Sequence, residues 1–179
     1  MPTSSPPSLW ETIAAEAGRE SPLWDAALRP EDDRELEPVF SPLAEPRFAL
    51  GLETIYEGYL LHFGRPRLFA PDDADTAILL GDYLYAHGLV RIASFEEVGA
   101  VADLADLIAL CSQVSADGRD GDGEAWAATA ALLGAGELDA ARSSLRLDGD
   151  SRPLAELARA AAGDEAVERS LAAHRLRLR

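Results

Sequence analysis

Residues Ile78 to Leu89 read ILLGDYLYAHGL, an apolar run with Gly81 and Asp82 set in its middle. A solvent-facing helix has no use for so much Leu and Tyr, and a plain core helix avoids the cost of a buried charge. Asp82 therefore needs either a partner or water. The fold and the function both turn on which it has.

Working outward from this stretch, helical spacing continues in both directions. Upstream, Phe48, Leu52, Ile55, Tyr59 and Phe63 recur at intervals of three and four and form one apolar stripe. Gly51 and Gly58 lie near one face of that helix, where missing side chains let another helix approach closely; each costs about 1 kcal/mol of helix propensity against alanine, so packing must compensate. Gly64 and Pro66 end it. Pro71-Asp72-Asp73 opens the next helix, with Asp72 as cap, and the helix runs through the quoted stretch to about Ser94. Ser94-Phe95-Glu96-Glu97 has capping-box spacing and predicts a third long helix, with Val98, Val101, Ala105, Ile108 and Cys111 along one side and Asp103 and Asp106 on the other.

Beyond the loop DGRDGDGE, four shorter helices are expected at residues 126–133, 138–145, 154–162 and 164–176. At the other end, Ser8-Leu9-Trp10-Glu11 is a capping box for a helix over 8–17 that Gly18 closes, and Ser21-Pro22 offers a second start. Residues 30–46, PEDDRELEPVFSPLAEP, are acidic and carry four prolines, each of which denies its predecessor the helical region. They read as an extended arm that Val39, Phe40 and Leu43 could pin to a surface. No alternating, β-branched run predicts a strand. The expected class is all-α, an antiparallel helical bundle or array, organised as short helices plus the arm over 1–46 and a helical domain over 47–179.

The chain has 179 residues, enough for one core, and 47% of them are hydrophobic. Its formal net charge of −16 opposes non-specific nucleic-acid binding, which draws its affinity from cations on phosphates. All 16 basic residues are arginine, a mark of genome composition rather than mechanism. The single cysteine, Cys111, permits no intramolecular disulfide and no thiolate metal site, so a reducing cytoplasm is the expected compartment. The start MPTSSPPSLWE has neither the basic nor the apolar region of a signal peptide. Asp82, Asp103 and Asp106 break the longest apolar runs before the roughly 20 residues that a bilayer requires.

Several groups invite chemistry. Asp72, Asp73 and Asp75 have a magnesium reading and a plainer one, a helix start that favours acids. Asp117, Asp120, Asp122 and Glu124 suggest calcium, but an EF-hand beginning at Asp120 needs glycine at Ala125 and glutamate at Ala131; a flexible, solvated connection is the expectation. His87 follows Tyr83 by one helical turn, with Asp82 about 140° away around the axis. It could serve as acid or base, or be structural. Tyr56, Tyr59, Tyr83 and Tyr85 could satisfy Asp82 in a buried network. Ser143, Ser144 and Cys111 have no setting for nucleophilic catalysis. At the C-terminus, Arg169, Arg175, Arg177 and Arg179 with Leu171, Leu176 and Leu178 could touch an anionic membrane surface, or simply complement a helix end.

Three features together resemble the polyprenyl diphosphate synthases of the class I isoprenoid synthase fold, nearest the non-catalytic small component of the two-component heptaprenyl synthases. Gly64-Arg65-Pro66-Arg67-Leu68 is similar to that family's basic diphosphate-gripping loop, Leu80-Gly81-Asp82-Tyr83-Leu84 resembles its Gly-Asp helix, and Phe95 to Gln113 resembles the helix that follows. Together they cover less than half of the chain. The departures are in the acids: Asp72, Asp73 and Asp75 have the wrong spacing for the first aspartate-rich motif, and no second one occurs.

The resemblance thus implies a reduced isoprenoid-synthase-like bundle: a non-catalytic subunit that pairs with a catalytic prenyl synthase and helps shape its apolar product tunnel. It would bind through Arg65, Arg67, Asp82, Tyr83 and His87, with Asp82 and His87 facing the space between helices. No catalytic residue, metal ligand or cofactor of its own is expected, magnesium entering only with the partner. The alternatives are a stand-alone helical adaptor or homodimeric structural protein, and a small magnesium-dependent enzyme acting on diphosphates.

Overall fold

The computed structural model describes residues 8–178; the first seven residues, which carry most of the signal-peptide expectation, and Arg179 of the C-terminal basic set lie outside them. The described residues are all-α, with nine α-helices and no strand: α1 (Leu9–Glu20), α2 (Pro22–Ala26), α3 (Ala49–Phe63), α4 (Ala74–Ala93), α5 (Val98–Ala116), α6 (Asp122–Ala131), α7 (Asp139–Asp148), α8 (Arg152–Ala162) and α9 (Asp164–Arg175). Only an isolated bridge joins Leu28 to Phe69.

Local sequence sets most of the helix ends. Ser8 and Glu11 form the expected capping box of α1, and Ser21 caps α2 with Pro22 at its first position. Gly18 does not close α1, which continues to Glu20. Asp73, not Asp72, caps α4, its Oδ1 accepting from the Thr76 N–H at 2.8 Å. The box at Ser94 does not form. Ser94 ends α4 instead, its Oγ donating to the Arg91 carbonyl at 2.6 Å, and α5 starts at Val98 without a side-chain cap.

The heart of the molecule is the crossing of α3 and α4. Gly51 and Gly58 of α3 meet Gly88 and Gly81 of α4. A Cβ on Gly58 would lie 2.8 Å from the Gly81 carbonyl oxygen, and one on Gly88 would lie 3.0 Å from that of Gly51. The glycine in the middle of ILLGDYLYAHGL is thus the bed of a helix pair. Asp82, its neighbour, points the other way. Its side chain is 65% exposed, with one carboxylate oxygen 3.2 Å from His62 Nε2, so the four tyrosines do not enclose it.

The proline-rich segment is built into the core rather than lying over a surface. Phe40 is buried between Trp126, stacked at 5.6 Å, and Tyr56, edge-on at 5.2 Å; Val39 and Leu43 are buried beside it. A buried ion network explains how an acidic, proline-rich strand of chain is held there. Arg67, fully enclosed, donates to Glu53 Oε2 (2.6 Å), Glu57 Oε2 (3.0 Å) and the Glu37 carbonyl (3.0 Å). Glu53 Oε1 in turn accepts the Val39 and Ser41 N–H groups, each at 3.1 Å, and Glu57 Oε1 accepts that of Leu68 at 2.7 Å. The guanidinium also lies over the rings of Trp10 and Tyr56. Burial would lower its pKa, and the two carboxylates more than reverse that.

Helix α5 presents a different face from the expected one. Its buried side holds Ala100, Asp103, Leu104, Leu107, Leu110, Cys111 and Val114. Asp103 is tolerated there because Arg142 of α7 donates to its Oδ1 at 2.9 Å and to its backbone carbonyl at 3.0 Å, while the Gly134 N–H donates to Oδ2 at 2.7 Å. The two aspartates do not spoil its overall apolarity: with a mean hydropathy of 1.4 it has the length and composition of a membrane-crossing segment, contrary to the expectation that the aspartates rule one out. A core helix has the same composition, and its contacts with α4, α6 and α7 are those of one.

Candidate functional site

The residues singled out for binding do not converge. Arg67 is turned wholly inward, so it cannot grip an anion at the surface. Arg65 is exposed, and it ties down the C-terminus: its Nη2 donates to the Leu176 carbonyl at 2.9 Å and its N–H to that of Arg177 at 2.7 Å. Asp82 is on the outside of α4 rather than between helices. Tyr83 stacks on His87 at 5.3 Å and lies 6.0 Å from Trp24. His87 faces α1, its Nε2 2.8 Å from Glu16 Oε2, and Arg91 shares the same carboxylate. These groups fasten the N-terminal helices to α4. Of the C-terminal basic set, Arg177 is buried against Glu35 (2.8 Å), Leu171 is core, and Arg169, Arg175 and Leu176 stay outward.

What the structure leaves unpartnered is the outer face of α4 and α5. Along α4 the exposed stripe runs Asp75, Ile78, Leu79, Asp82, Ala86, Val90 and Ala93, all within about 60° of one direction at 100° per residue. Phe95 follows in the turn, and α5 continues with Val98, Ala102, Ala105 and Ala109. Val98 is 81% exposed, Val90 67% and Leu79 58%. The stripe expected from Val98, Val101, Ala105, Ile108 and Cys111 therefore does not form one core face: Val98 and Ala105 are exposed, Val101 and Ile108 are half-buried at the margin, and only Cys111 is buried. Singly exposed apolar residues are ordinary, but here they recur at helical spacing along α4 and α5.

A second feature was not legible in the sequence. Asp122 is the first residue of α6, not part of a solvated loop, and its Oδ2 accepts from His174 Nε2 at 3.0 Å and from the Tyr59 hydroxyl. His174 Nδ1 meets the Tyr56 hydroxyl at 2.8 Å. One node thereby joins α3, α6 and α9. Burial raises the Asp122 carboxyl, but the hydrogen bonds from His174 and Tyr59 outweigh it and leave the group below the usual carboxylate range. Burial, with the nearby carboxylate, pushes the Tyr59 phenol far up. Clefts of about 220 and 310 Å³ adjoin the node, each lined in part by Asp120, Asp122 and Leu178.

Cys111 lines the smaller cleft, but burial pushes its thiol well up, which leaves it protonated and a poor nucleophile. The node is a structural clasp. Its contribution is pH-dependent: because the folded carboxyl titrates below its unfolded value of about 3.9, the stabilisation is complete above that pH and lost as pH falls through the lower folded value. Replacing Asp122 with alanine leaves buried donors unmet and should cost about 1–3 kcal/mol at neutral pH. Urea titrations of wild type and variant from pH 2 to 7 should converge at the acid end.

Comparisons with protein-family models, with curated proteins and with solved structures find no match for this chain.

Proposed function

We propose that the chain is a non-catalytic helical subunit that works by docking another protein on the outer face of α4 and α5. The observation that carries this reading is the row of exposed apolar residues at helical spacing, Ile78, Leu79, Ala86, Val90 and Ala93 on α4 and Val98, Ala102, Ala105 and Ala109 on α5, on two helices whose opposite sides are already packed. The resemblance to the small component of two-component prenyl synthases names the partner: a catalytic prenyl diphosphate synthase whose apolar tunnel the docked helices help to wall. On this reading Arg67 plays no part with diphosphate, and magnesium belongs to the partner. The alternative, an adaptor or homodimer, uses the same surface with a different occupant.

Co-expression with a catalytic prenyl diphosphate synthase tests the reading. A hetero-complex is expected by size-exclusion chromatography with light scattering, together with a product of altered chain length. The double variant Val90→Glu/Val98→Glu should keep its stability to within about 0.5 kcal/mol per site, since both side chains are exposed, yet lose the complex. A complex unaffected by the variant, or turnover of an allylic diphosphate by the isolated chain with magnesium, would overturn the proposal.

A further inference from the structure

Resting on the docking reading above, the charge pattern of the same face identifies what kind of surface it accepts. Helices α4 and α5 together carry one arginine, Arg91, and it is turned away to Glu16 with a side chain only 16% exposed. The stripe and its margins instead carry the exposed acids Asp75, Asp82, Glu96 and Asp106. Two of these already have a basic neighbour from outside the stripe: Asp82 Oδ1 lies 3.2 Å from His62 Nε2, and Asp106 Oδ2 lies 3.5 Å from Arg142 Nη1, which also serves Asp103. Arg47, the cation beside Phe95, is already shared between Glu45 and Glu97, each at 2.8 Å. Among the described residues, no arginine on the face is free to answer a carboxylate brought against it.

We infer that the face takes a partner helix with a small-residue or leucine apolar stripe flanked by arginine or lysine, and that it does not take a second copy of this chain. In a two-fold dimer the same patch faces itself, so Asp75, Asp82, Glu96 and Asp106 would be desolvated against a surface that carries the same acids and offers no cation to pair with them. Like charges in that position oppose association, and opposite charges steer it and fix its register. The alanines at 86, 93, 102, 105 and 109 leave room for a helix to lie close along the stripe.

Two synthetic amphipathic peptides of about 20 residues, sharing one Leu/Ala face and differing only in Arg/Lys or Glu flanks, are titrated against the full chain by fluorescence anisotropy. The basic-flanked peptide should bind at least tenfold tighter at about 50 mM salt, the preference shrinking at about 0.5 M as screening rises. Asp75→Arg/Asp82→Arg, both at exposed positions, should reverse the preference, and the chain alone should sediment as a monomer at both salts. Equal binding of the two peptides would overturn the charge assignment while leaving apolar docking intact. A dimer of the chain abolished by Val98→Glu would show that a second copy covers the face. If neither peptide binds, the inference falls, while the docking reading stands or falls on the co-expression complex.

Discussion

Replacing Arg67 with alanine will remove about 3–5 kcal/mol of stability, because it strips the guanidinium that pairs with two carboxylates that are themselves enclosed. That is a large share of the roughly 5–15 kcal/mol that holds a typical domain together. The damage spreads along the chain. Without Arg67, Glu53 loses the charge that balances it while it caps the Val39 and Ser41 N–H groups, so the segment carrying Phe40 loosens from Trp126 and Tyr56. Urea unfolding of Arg67→Ala against wild type measures this as a shift in midpoint, and near-ultraviolet circular dichroism reports the Trp126 environment. Arg67→Lys should fall between the two: it keeps the charge but cannot reach both carboxylates and the Glu37 carbonyl with one planar fork. A loss under about 1 kcal/mol for Arg67→Ala would mean that the network contributes no more than a surface ion pair.

Valine at position 58 is expected to cost about 3 kcal/mol, the upper end for overpacking. The added Cβ would begin 2.8 Å from the Gly81 carbonyl oxygen, and that oxygen can retreat only if the whole of α4 moves. Helix propensity runs the other way, since a β-branched residue is no worse than glycine in a helix, so a loss must come from the crossing itself. Gly18 of α1 provides the control. The nearest atoms a Cβ there would meet are those of Asp25, an exposed side chain that can swing aside, so Gly18→Ala should be neutral or stabilise by up to about 1 kcal/mol. Thermal unfolding of the two variants beside wild type decides the matter, and equal effects would refute the tight crossing.

Much of the architecture was legible residue by residue. The all-α class, the ends of α3 at Gly64, the cap of α2 at Ser21 and the close approach at Gly51 and Gly58 each follow from a local rule: periodicity, a capping hydroxyl, a missing side chain. The errors also have local causes. Ser94 satisfies both a capping-box pattern and the end of the preceding helix, and the shorter-range contact with Arg91 wins. The α5 stripe was found, but two-sided apolarity hides which side is core. Asp103 sits on the buried side, and only its meeting with Arg142, 39 residues away, makes that side habitable.

The candidate sites divide in the same way. Val98 and Ala105 were on the page from the start as a stripe, and their exposure was not. Asp122 and His174 are 52 residues apart, with Tyr59 a further 63 residues before Asp122, and no spacing rule connects acids, imidazoles and phenols over such distances. The sequence alone determined that the chain is helical, several of the helix ends, and that Gly51 and Gly58 admit a close neighbour, because these depend on neighbours within a turn or on the absence of a Cβ. The tertiary structure alone decided which charges are buried in pairs, that Arg67 serves the core rather than a ligand, and which apolar stripe is left for a partner. Those outcomes depend on what long-range contacts remove from water, and desolvation has no signature in the linear order of residues.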